Sequence, residues 1–170
     1  MFRGNSGYTL IEMTVVIILA GLFMTYSIPR FKTDILTDSL KTSTRRIVAL
    51  IDSLRDDALE KESSYTLRFD KVSGRYWVES PDMSEADRSL AKENAISLPS
   101  DVSIKDIKTM GADNVKPGEP SIWFHNKGYV QPAIIWLGSE DGREMSVILR
   151  PFLRKTDVIE GLVEPEDIRF

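Results

Sequence analysis

The sequence contains no cysteine. Disulfides, thiolate metal sites and cysteine nucleophiles are thereby excluded. A single histidine, His125, rules out two-histidine catalytic arrangements and histidine-rich zinc sites. Positive charge is not in excess. Lys and Arg number 22 against 26 Asp and Glu, a formal net charge of -4. No Lys/Arg stripe of the kind that tracks phosphates is visible, so nucleic acid is not an expected partner. Neither a P-loop nor a G-x-G-x-x-G stretch occurs. No repeat or low-complexity run is evident. These gaps point away from an enzyme, and they imply no cofactor and no metal.

What the sequence does have is an uneven distribution of apolar residues. Hydrophobic residues make up 42% of the 170, an ordinary share. A dense block of them sits at the N-terminus, and everything after about residue 30 reads as a soluble protein. From Met13 to Ile28 no residue is charged, and the wider stretch Tyr8–Ile28 is interrupted by Glu12 alone. As a helix rising about 1.5 Å per residue, that stretch matches a hydrocarbon core of about 30 Å. A secretory signal peptide would have a shorter apolar region followed by a small-residue cleavage site. Here Met24-Thr-Tyr-Ser-Ile-Pro29 is a poor one. A plain signal anchor explains the length but not Glu12. A carboxylate inside an apolar helix costs about 3 kcal/mol even on lenient insertion scales unless it finds a partner. A processed filament subunit, in which a neighbouring chain supplies a positive charge, accounts for both.

The run Gly7-Tyr8-Thr9-Leu10-Ile11-Glu12 resembles the class III signal motif of type IV pilins and pseudopilins, in which Gly precedes x-T-L-I-E. The resemblance implies cleavage by a prepilin peptidase after Gly7, so that 1–7 is a leader peptide and Tyr8 becomes an N-methylated first residue. The family more often has Phe or Met where Tyr8 stands. Thr9, Leu10, Ile11 and Glu12 are the implied assembly residues. Glu12 falls at the fifth mature position, whose family role is to pair with the N-terminal amine of an adjacent subunit. Pro29 stands where many of these helices carry a kinking proline. Arg3 in the short leader agrees with a cytoplasmic N-terminus.

Past Pro29 the pattern changes. Ile35, Leu36, Leu40, Ile47, Leu50, Ile51, Leu54 and Ala58 recur at three- and four-residue steps, with charges opposite. The expectation is one long helix from about Thr9 to about Lys61, bent near Pro29. Its parts are a transmembrane and assembly segment, 8–29, and an amphipathic spine, 30–62. Asp56 and Asp57 point about 100° apart on a helix and do not converge for acid-base work. Beyond them, 63–170 reads as a β domain. Tyr65–Asp70 and Arg75–Glu79 alternate with period two around a turn at Lys71–Gly74. The charged stretch Pro81–Asn94 reads as a loop with a helical turn at Glu85–Lys92. Further strands are expected at Ala95–Leu98, Val102–Ile107, Ser121–His125, Tyr129–Gln131, Ala133–Gly138, Met145–Arg150 and near Val158–Val163. Thr109–Pro120 reads as a loop.

One helix followed by seven or eight short strands gives an α+β fold, a long N-terminal helix packed on an antiparallel β domain. The phrases Tyr65–Asp70, Gly74–Val78 and Ile122–Gly128 resemble the H-type minor pseudopilins, the GspH/FimT-like group. That group has a domain of two sheets. His125 is read as a strand-end residue rather than a base. Trp77, Trp123 and Trp136 are read as core or sheet-face aromatics, and Glu140–Glu144 as a hairpin turn rather than a calcium loop.

The resemblance implies a minor pseudopilin of a type II secretion system, a structural subunit of a periplasmic pseudopilus. It would be a single-pass protein of the bacterial inner membrane, with a cytoplasmic N-terminus and a periplasmic β domain. Its partners would be the prepilin peptidase, other minor and major pseudopilins, the inner-membrane assembly platform, membrane lipid and possible secreted substrates. The alternative within the class is a FimT-type minor pilin of a type IV or DNA-uptake pilus. Outside it, the rival is a membrane-tethered periplasmic domain that never polymerises.

Overall fold

The structure is a computed structural model that describes residues 10–31, 38–111, 119–153 and 155–168, the side chains of 23–31 excepted. The chain divides into two compact units, Met1–Asp38 and Ser39–Phe170. The first holds helix α1 (Leu10–Phe31). This helix runs past Pro29 rather than ending there. The expected continuity with the next helix falls on 32–37, outside the described residues.

The second unit begins with helix α2 (Ser39–Glu60), which buries Leu40, Thr44, Ile47, Ile51, Leu54 and Ala58 along one stripe. Eight strands follow: β1 (Tyr65–Asp70), β2 (Arg75–Glu79), β3 (Ile96–Ser97), β4 (Val102–Thr109), β5 (Ser121–Phe124), β6 (Ala133–Ser139), β7 (Glu144–Leu149) and β8 (Asp157–Glu160). A short helix, α3 (Glu85–Glu93), lies between β2 and β3. The strands form two four-stranded sheets with the orders β3-β2-β1-β5 and β4-β6-β7-β8. Every pairing is antiparallel.

Period-two alternation sets which face each strand buries. In the first sheet Leu67 is paired with Val78 and Ile122, and Phe69 with Tyr76. In the second, Ile135 and Leu137 face inward beside Val147 and Met145. Both inner faces share one core with the α2 stripe. Each fully buried Ile, Leu or Phe there stabilises the fold by roughly 1.5–3 kcal/mol.

The tail gives β6 a second covering. Ile134, Trp136 and Ile148 on the outer face pack against Val163 and Ile168. Trp136 Nε1–H donates to the Val163 carbonyl at 3.1 Å. Ser146 Oγ donates to the Gly161 carbonyl at 2.7 Å and accepts from Val163 N–H at 3.1 Å.

Several elements differ from expectation. The turn at Glu85–Lys92 is a full helix, because Ser84 and Asp87 form a reciprocal capping box at its start. Tyr129–Gln131 is not a strand but a single bridge, Phe124 to Val130. The tight turn at Gly128 (φ 83°) precedes it, and Pro132, which has no N–H, stops it. β3 is only two residues long, and β8 ends at Glu160. Of the expected loop Thr109–Pro120, Thr109 belongs to β4 and 112–118 lie outside the described residues.

Candidate functional site

Glu12 lies in the first turn of α1, the end of a helix where unpaired N–H groups favour a carboxylate. Leu10 and Ile11 open the helix. Gly7, Tyr8 and Thr9 lie outside the described residues. Leu10 is 89% exposed, and Ile11, Met13, Val15, Val16, Ile17, Ile18, Leu19 and Leu22 are exposed as well. Successive helical residues turn by about 100°, so the consecutive residues Val15–Leu19 place apolar side chains on every side of the helix. A helix apolar all round is built to be surrounded by apolar material rather than to lie on a surface. Thr14 fits that setting, since its hydroxyl donates to the Leu10 carbonyl at 2.6 Å. Among the described residues, no helix is long and apolar enough to cross a membrane. The described side chains of α1 end at Leu22, whereas the uncharged run continues in the sequence to Ile28.

The structure does not bring the domain's chemically suggestive residues together. His125 stacks on Tyr129 (centroids 4.2 Å, 15°) and meets Trp123 edge-on at 4.9 Å. Its Nδ1 accepts from Lys127 N–H at 3.1 Å. It fastens a turn. Trp77 is buried under α3, with Lys92 Nζ 5.3 Å from the ring centre. Trp136 is buried under the tail. Trp123 is 42% exposed on the outer face of β5, a sheet-face aromatic rather than a core one, because Ile122 and Phe124 take the inward positions. Asp57 accepts from Lys61 at 2.9 Å on the next turn.

Glu140–Glu144 is a hairpin turn. Asp141 accepts from Ser139 Oγ, from Arg143 N–H at 3.1 Å and from Arg143 Nε at 2.8 Å. The Ser139 hydroxyl and these Arg143 bonds lower its pKa to about 2. No cluster of metal-ligating side chains occurs among the described residues.

Two features are not evident from periodicity. Arg55 is 5% exposed on the buried side of α2. Its guanidinium donates to the carbonyls of Leu153 at 2.8 Å and Arg150 at 3.5 Å. Burial lowers its pKa, opposed by the charges of Asp52 and Asp56. The second is an exposed apolar edge. Phe152, 88% exposed, lies 6.4 Å from Tyr129 and lines a hollow of about 260 Å³ with Leu59 and Leu153.

The second unit is a two-sheet antiparallel domain packed on an amphipathic helix. Two solved structures are similar to it in fold. One, described as the structure of the minor pseudopilin EpsH from the type 2 secretion system of Vibrio cholerae, is 11% identical. The alignment covers 72% of this chain and 98% of that one, with a TM-score of 0.50. A crystal structure of the same EpsH is 14% identical, with 75% of this chain and 98% of that one covered and a TM-score of 0.53. At these identities the likeness is one of fold, and the fold is pseudopilin-like. No protein-family model matches the sequence, and no curated protein matches it significantly.

Proposed function

We propose that the chain is a minor pseudopilin of a type II secretion system, a structural subunit of a periplasmic filament. The reading rests on one observation above all: α1 exposes apolar side chains around its whole circumference, with Glu12 among them. The pseudopilin-like fold of the second unit supports it. In this reading prepilin peptidase cuts after Gly7, and Tyr8 becomes the methylated N-terminus. The segment 8–29 anchors the chain in the bacterial inner membrane. The remainder, 30–62 as spine and 63–170 as β domain, lies in the periplasm. The assembly platform then draws the anchor from lipid into a filament core of parallel helices, where other pseudopilins surround it.

Glu12 supplies the register. In a medium of low dielectric its carboxylate and the Tyr8 amine of an adjacent subunit attract strongly, and burying either charge without the other is costly. Thr9, Leu10 and Ile11 separate Tyr8 from Glu12 in the sequence. Glu12→Ala therefore abolishes filament incorporation and leaves membrane insertion intact. Cell fractionation and immunoblotting of sheared filaments measure both. Normal incorporation of the variant contradicts the pairing.

A further inference from the structure

Among the described residues each sheet has two edge strands, and an edge carries backbone N–H and C=O groups that another strand can bond. Three of these four edges are filled or broken. Gln131 lies along β5: its N–H donates to the Trp123 carbonyl at 2.8 Å, and its Oε1 accepts from Trp123 N–H at 3.3 Å. β4 is interrupted by a register shift between Ile104 and Asp106, and Lys105 and Lys108 stand exposed on it. β3 is only two residues long.

The fourth edge, β8, keeps one register with β7 throughout and holds neither proline nor lysine. Its open groups follow from the ladder. Gly161 N–H donates to the Glu144 carbonyl at 2.8 Å. Bonded residues alternate along an antiparallel pair, so Ile159 and Asp157 also face β7. Val158 and Glu160 therefore turn their N–H and C=O groups away from the sheet. Among the described residues no group bonds these two donors and two acceptors.

The same two residues pair with Val147 and Met145, which belong to the core, so their side chains lie on the inner face of the sheet. α2 leaves that face partly open at β8, where Val158 is 41% exposed. A groove of about 530 Å³ remains there, with Val48, Ala49, Met145 and Val158 along it. Lys41, Arg45, Asp52 and Glu160 stand around it, two of each sign, and Lys41 pairs with Glu160 at 3.2 Å. The charges balance, so the groove prefers neither sign. What it presents is a set of strand-spaced backbone groups beside an apolar floor.

We infer that β8 is a strand-addition site for an extended segment of another protein. The segment pairs antiparallel with Val158 and Glu160. Its residues that bond β8 are the ones whose side chains enter the groove, and these are small and apolar. A second copy of this chain is a poorer occupant. Two-fold pairing of β8 with itself sets Asp157 or Glu160 opposite or diagonal to its own counterpart, like charges across a ladder. Only the second unit takes part, so the inference stands apart from the filament reading.

The probe is the neutral peptide Thr-Val-Thr-Val-Thr with blocked ends, titrated into the isotope-labelled full chain in detergent micelles. Amide NMR should show saturable shifts at Val158, Glu160 and Ala49 at millimolar peptide. Methylating the Val amides of the peptide removes the donors that face β8 and should abolish the shifts. Methylating the central Thr amide, which faces away, should leave them. Glu160→Pro should also abolish them, since an edge strand tolerates proline where its N–H points outward. Ala49→Trp, an exposed change on α2, should do so by filling the groove, and unchanged tryptophan-monitored unfolding midpoints for both variants confirm the fold. Shifts that survive methylation of the Val amides mean contact without strand pairing and overturn the inference. So does a peptide that moves none of these amides. Shifts of Val158 and Glu160 on concentrating the chain without peptide mean that a second copy takes the edge, and they overturn it as well.

Discussion

Arg55 holds a positive charge in the interior while its guanidinium ties the chain at Arg150 and Leu153 to α2. Removing it takes the donors from the Leu153 and Arg150 carbonyls and empties a buried position on α2, and losses of this kind cost about 1–3 kcal/mol. Arg55→Ala should lower the unfolding free energy by that amount, measured by urea titration followed by tryptophan fluorescence. Arg45→Ala on the exposed face should change it by less than about 0.5 kcal/mol. Equal effects would contradict the role assigned to Arg55. Asp141 offers a pH test. Its folded pKa lies below its ordinary value, so its contribution is present above pH 3.8 and is lost as the pH falls toward about 2. Carboxyl chemical shifts should titrate with a midpoint near 2; a midpoint at the ordinary value would mean that the turn bonds do not hold in solution. Arg55 was not read from sequence: its charge argued for the exposed face, although it stands four residues after Ile51 and three before Ala58, on the flank of the buried stripe, where the carbonyls of Arg150 and Leu153 receive it. Trp123 was legible by alternation, which sends it outward. Its aromatic character left core and sheet face open, and alternation decides for the face.

At the scale of elements, the helices differ in what holds them. α2 is fixed by packing, and Ile51, fully buried, is one of its anchors. Ile51→Ala should cost roughly 2–5 kcal/mol. α3 buries no residue and depends on its cap. Ser84→Ala should cost about 1 kcal/mol, seen as faster amide exchange confined to the α3 backbone while the rest of the domain keeps its protection. A global loss of protection would mean that α3 is integral to the core. Most strands were readable from period-two alternation, as at Tyr65–Asp70 and Arg75–Glu79. The full length of α3 was carried by the Ser84–Asp87 pair, a weak signal inside a charged stretch. The tail could not be read from its own residues, because Val163 and Ile168 are explained only by the outer face of β6 that they cover.

At the scale of the whole molecule, the sheet partition is the part no local pattern encodes. β3 joins the first sheet, β4 crosses to the second and β5 returns to the first, and each choice is made by non-local pairing. The N-terminal motif is the opposite case: it is read from the sequence alone, and Gly7, Tyr8 and Thr9 lie outside the described residues. The domain supplies a pseudopilin-like fold, and α1 supplies an apolar surface that needs apolar surroundings. Whether these belong to a processed filament subunit turns on the mature N-terminus. Mass spectrometry of the chain purified from membranes should find it beginning at a methylated Tyr8. An intact Met1, or a cut near Ser27, would contradict the account.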